Sequence, residues 1–161
     1  MFNNYPRRRF RPYTPYVRRA RAQYERHNIV DQTGAITQGN QASVTLYTAG
    51  KPVKVAKMRL QAGIINFSST LGTQGVFYAI VKVENGNTVN ALTVSAAAEL
   101  YTPTENVLAT GTISGMSWVD VWIPISMKLK QGDTIVAVFA NTATAANSTN
   151  IQYMWSYTQI E

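Results

Sequence analysis

The chain has no cysteine and a single histidine, His27. Without cysteine there is no disulfide framework, no zinc–thiolate site and no thiol nucleophile. One histidine close to the N-terminus leaves a histidine-based triad without a seat in the body of the chain. Charge is scarce as well. Only 14% of residues are Asp, Glu, Lys or Arg, against roughly 25% in an ordinary soluble domain. The carboxylates stand singly, with no pair for acid–base work and no cluster for a metal. Long apolar runs are missing too, since "IVAVFA" (135–140) falls far short of the roughly 20 residues a helix needs to span a bilayer. No apolar h-region follows the first arginines, and "LGTQGV" (71–76) lacks the spacing and the following helix of a phosphate-binding loop. These absences predict a protein that is not an enzyme, holds no cofactor or metal and does not enter a membrane.

What the chain does have is a lopsided distribution of positive charge. "YPRRRFRPYTPYVRRARAQYER" (5–26) holds eight of the nine arginines, and Glu25 is the only acid up to residue 26. Eight minus one is +7, the whole net charge of the protein. From residue 27 onward, Lys51, Lys54, Lys57, Arg59, Lys82, Lys128 and Lys130 balance seven acids. The chain therefore reads as a neutral body with a cationic arm. A body with little charge and none in net favours association, so it is expected to pack against copies of itself.

From residue 40 onward the dominant period is two, the mark of strands with one buried face. Eight runs show it: 41–48, 52–60, 75–84, 88–96, 106–111, 116–125, 133–140 and 151–160. They are rich in Thr, Val, Ile, Tyr and Trp, as strand propensity requires. The run 75–84 is apolar on both faces and reads as a central strand. In 52–60, Ala56, Met58 and Leu60 fall on one face, with Lys57 and Arg59 on the other. Asn85-Gly86 is a strong hairpin signal, and Gln131-Gly132-Asp133 reads as a second tight turn. Eight strands with no helix between them predict an all-β antiparallel sandwich. The double-sheet jelly roll fits best, ahead of an immunoglobulin-like arrangement. Trp118 and Trp122 share a face with Asp120, opposite Val119, Val121, Ile123 and Ile125. They are open to two readings, as core or as interface anchors, and Trp155 shares that ambiguity.

The expected division is an arm over 1–28 and a shell domain over 29–161. In residues 1–15, prolines alternate with arginines and aromatics, a composition that cannot bury a core and predicts disorder in isolation. Over 15–27 a short amphipathic helix is expected, with Thr14 as N-cap and Pro15 at the first helical position. Tyr16, Ala20, Tyr24 and His27 would line one of its faces, with Arg18, Arg19 and Arg26 on the other. Arginine neutralises phosphates and bonds them in bidentate fashion. Aromatics set between arginines stack on unpaired bases. Arg7, Arg8, Arg9, Phe10, Arg11, Tyr13, Tyr16, Arg18, Arg19, Arg21 and Arg26 are thus the candidate nucleic-acid-binding residues. The same residues would also serve as a nuclear localisation signal.

A basic arm, a short basic helix and an eight-stranded body follow the plan of small icosahedral capsid proteins. "YPRRRFR" (5–11) resembles the start of circovirus-like capsid proteins from small circular single-stranded DNA viruses. The resemblance implies a structural protein of the virion, passing through the host nucleus. About sixty copies would form a closed T=1 shell, with arms bringing about 420 positive charges to single-stranded nucleic acid, DNA ahead of RNA. Other readings are a satellite-type single-stranded RNA virus capsid, a trimeric tumour-necrosis-factor-like binding jelly roll and a monomeric nucleic-acid chaperone. The last would need a basic patch on the body, against which its zero net charge speaks.

Overall fold

A computed structural model describes residues 23–65, 75–89, 106–115, 117–142 and 148–160. They form strands β1 (Tyr24–Gln32), β2 (Ile36–Thr37), β3 (Gln41–Thr48), β4 (Val53–Ile64), β5 (Gly75–Val83) and β6 (Val107–Ser114). The series continues with β7 (Val119–Ile123), β8 (Met127–Leu129), β9 (Thr134–Asn141), β10 (Ser148–Thr149) and β11 (Ile151–Ile160). The protein is all-β, and every strand pairing is antiparallel. One sheet runs β1-β11-β4-β7, with β8 also beside β4; the other runs β3-β9-β5-β6; β2 and β10 pair separately.

Both sheets contribute to one core. Trp155, Leu60, Met58 and Ile123 come from the first sheet, and Phe139, Ile80, Ile135 and Ile113 from the second. Burial of a side chain of this size is worth about 1.5–3 kcal/mol, so this shared layer is the main source of stability. The second sheet also buries its far face, where Phe77, Ala79, Val81, Val136, Val138 and Ala140 form a separate cluster. As its two-sided apolar pattern requires, β5 is a central strand, flanked by β9 and β6.

The runs 41–48, 75–84, 133–140 and 151–160 coincide closely with β3, β5, β9 and β11, whereas β4 extends 52–60 to Ile64, β6 extends 106–111 to Ser114, and β7 occupies only the middle of 116–125. The run 88–96 lies outside the described residues except for 88 and 89, which are not in a strand. In β4 the expected faces are corrected by a bulge between Ser156 and Thr158 of the partner strand β11. Lys57 is the extra residue there, at φ 52°. A left-handed backbone costs an ordinary residue about 1–2 kcal/mol. The bulge resets the alternation: Val53 and Val55, then Met58, Leu60 and Ala62, are buried, and Ala56 shares the other face with Lys54.

The helix expected over 15–27 is corrected at its C-terminal end. Residues 15–22 lie outside the described residues, but Tyr24–His27 are strand, paired with β11 from Tyr24↔Ile160 to Gln32↔Gln152. Tyr24 and His27 are three apart, a spacing suited to one helical face, yet pairing along a whole neighbouring strand satisfies more backbone than one helical turn does. His27 instead stacks on Tyr157, with centroids 4.8 Å apart, and so belongs to the body. Further along, the Tyr153 hydroxyl faces Asp31 at 3.5 Å. Burial, with that carboxylate beside it, pushes the phenol up to about 12.

Both tight turns form, although the second arm of the hairpin expected at Asn85-Gly86 falls in 88–96, of which only 88 and 89 are described, neither in a strand. Gly86 and Gly132 both sit at φ 87°, and a side chain at Gly132 would strike Asn85. Asp133 joins the two turns: its carboxylate accepts from the backbone N–H of Lys130 (2.9 Å) and of Asn85 (3.2 Å) and faces Lys82 Nζ at 3.5 Å. Burial alone would raise its pKa, but the two N–H donors and the ammonium outweigh it and hold the carboxyl below its ordinary range.

Candidate nucleic-acid interface

Of the residues expected to contact nucleic acid, Arg7, Arg8, Arg9, Phe10, Arg11, Tyr13, Tyr16, Arg18, Arg19 and Arg21 lie outside the described residues. Arg26 is described, and it is an exposed member of β1. Successive residues of a strand point to opposite faces, and His27 is on the core side with Tyr157. Arg26 therefore stands on the outer face of the first sheet.

Register carries that face across four strands. Tyr24 lies opposite Ile160, Ile160 opposite Lys54, and Lys54 opposite Lys128. In the next row Arg26 lies opposite Thr158, and Thr158 opposite Ala56. Strands about 4.8 Å apart make the first row roughly 14 Å wide, with about 7 Å between rows. Lys54 and Lys128 are thus like charges facing each other directly, an arrangement that costs stability unless an anion lies between them. Lys57 is exposed at the bulge just beyond. Lys130 begins the turn that leads into β9, and Lys51 lies in the β3–β4 connection, which bonds to that turn through Gly132 N–H and the Ala49 carbonyl at 2.8 Å.

Arg59 and Lys82 are already engaged. Arg59 gives a bidentate pair to Asp120, at 2.7 Å from Nε and 2.5 Å from the terminal nitrogen. That pair raises the pKa of the guanidinium and lowers that of the carboxyl. Lys82 lies between Asp133 (3.5 Å) and Glu84 (3.6 Å). Arg26, Lys54, Lys57, Lys128 and Lys130 form no ion pair with another described residue. The body is neutral in total but polarised in space. Its open cations collect at the end of the first sheet where residue 23 leads into β1, which is where the arm joins.

The opposite end of the same face is aromatic. Trp118 and Trp122 are 54% and 56% exposed, whereas Trp155 is fully buried, which resolves what the residues alone left open. The Trp118 ring lies on Gly63, where even a Cβ would come within 2.8 Å of it. Asp120 stands between the tryptophans but is taken up by Arg59. Met154 and Val30 are exposed there as well, while exposed Ile125 lies in the β7–β8 connection, between the rows of Met58 and Val55.

A net charge of zero conceals the cluster of body lysines, because a sum of charges carries no positions. A usable signal was present in the period-two pair Lys128 and Lys130 and in the lysines at 54 and 57. Comparison with protein-family models and with curated proteins gives no match for the chain.

Proposed function

We propose that the chain is a structural capsid protein. Its body is a jelly roll, its copies assemble into a small closed shell, and its Arg-rich arm packages single-stranded nucleic acid, with DNA ahead of RNA. The observation that carries this reading is the strand order. Of the eight longer strands in β1-β11-β4-β7 and β3-β9-β5-β6, only β5 and β6 are both consecutive in the chain and hydrogen-bonded neighbours. Almost every connection thus passes from one sheet to the other, as in two interleaved Greek keys. An immunoglobulin-like sandwich keeps several consecutive pairs side by side in one sheet.

Two further features favour a shell over a tumour-necrosis-factor-like trimer. The net charge of +7 resides in the arm, which has no role in a trimeric binding module. Trp118 and Trp122 offer large apolar anchors next to an internally paired carboxylate, a surface suited to a second copy of a neutral body.

Sizing and negative-stain imaging of purified protein test the proposal. Particles of about 15–20 nm are expected from sixty compact domains of this size, with cargo protected from nuclease. A persistent monomer or trimer at all salt concentrations overturns the shell. Digesting extracted cargo with DNase and RNase separates the DNA reading from a satellite-type RNA capsid.

A further inference from the structure

Resting on the reading that the arm holds a nucleic acid, we infer that the body itself carries a second phosphate-binding site, formed by Arg26, Lys54, Lys57 and Lys128 at the arm end of the first sheet's outer face. Arg26, Lys54 and Lys128 stand on one face by register, Lys57 is exposed at the bulge beside them, and none of the four has an ion pair with a described residue. Lys54 and Lys128 face each other in register, so their repulsion is relieved when an anion bridges them. Lys57 holds a left-handed backbone at a bulge, a local irregularity of the kind that re-aims side chains at functional sites.

Continuity decides the ligand. Tyr24 begins the row that ends in Lys54 and Lys128, so the surface starts where the arginine-rich segment stops. A strand held by the arm and running onto the sheet meets phosphate-binding charges spread over about 14 Å. It also meets an exposed tyrosine, 70% accessible, on which a base can stack. The exposed apolar side chains of this face lie mostly toward its other end, so a lipid surface fits the cationic end less well.

The test uses the full chain. Lys54→Gln/Lys128→Gln removes two charges; Gln32→Glu/Gln38→Glu changes net charge equally at the far end of the body. Binding of a fluorescein-labelled oligo-dT of about 30 nucleotides is followed by anisotropy from about 50 to 200 mM salt. Wild type and the glutamate variant should share one slope of log affinity against log salt. The glutamine variant should be shallower by about 1.4, since each single-strand phosphate contact contributes about 0.7. Its thermal midpoint should not fall, because removing two facing like charges relieves repulsion. If the glutamine and glutamate variants show the same slope, the body site is overturned while the arm reading stands. If the wild type does not bind oligo-dT, the arm reading falls and takes the inference with it. If the glutamine pair weakens binding to phosphatidylserine vesicles but not to oligo-dT, the surface belongs to a membrane and the inference is wrong.

Discussion

The two sheets are made from similar residue types yet end in opposite situations. In the second, the central strands β5 and β9 are buried on both faces. In the first, one face shares the core and the other remains open, with cations at one end and tryptophans at the other. The second sheet acts as a floor, and the first as a floor with a usable upper surface. An antiparallel sheet can do this because alternate side chains serve two environments independently.

The contrast breaks most visibly if a charge is placed on each sheet. Val138→Asp puts a carboxylate on the buried far face of the second sheet, where Val138 is fully inaccessible. A cost above about 4 kcal/mol is expected, seen as loss of a cooperative unfolding transition. Gln152→Glu on the outer face of the first sheet should change stability by less than about 0.5 kcal/mol. Equal losses would remove the distinction between the sheets.

Next in size is a comparison across the first sheet alone. Trp155→Ala empties a fully buried site and should cost about 3–5 kcal/mol, lowering the melting temperature by roughly 10 °C in a chain of this length. Trp122→Ala on the open face should leave melting nearly unchanged and instead reduce the yield of assembled particles. Normal assembly of that variant would argue against Trp122 as an anchor.

Smaller still is the node that ties the turns of the second sheet to the first. Asp133→Asn leaves Lys82 without its nearer carboxylate and should cost about 2 kcal/mol. The carboxyl of Asp133 lies below its ordinary range in the folded protein, so its stabilisation is complete above the unfolded value near pH 4. The gap between wild type and Asp133→Asn in denaturant unfolding should be full at neutral pH and close as pH falls through the lowered folded value. A gap that persists under strongly acidic conditions would assign the loss to geometry and not to charge.

Local chemistry made much of the fold legible. The runs 41–48 and 151–160 coincide with β3 and β11 to the residue, because period-two patterning and β-branched residues report a half-buried strand without reference to its partner. The glycines at 86 and 132 marked turns for an equally local reason. β1 was not legible, because Tyr24–His27 carry a spacing that suits a helix as readily as a strand. The choice was made by β11, far along the chain. The bulge at Lys57 was invisible for the same reason, since a bulge is a property of two strands.

The candidate site divides along the same line. Composition by itself determined that the arm is cationic, that the body sums to zero and that the body is made of strands, since these depend on counting residues and on neighbours a few positions away. Only the tertiary structure decided that Trp155 is core while Trp118 and Trp122 face outward. It alone set Lys54 beside Lys128 at the root of the arm. Charge adds along a chain, but its field depends on distance, and distances between remote residues are set by register and packing.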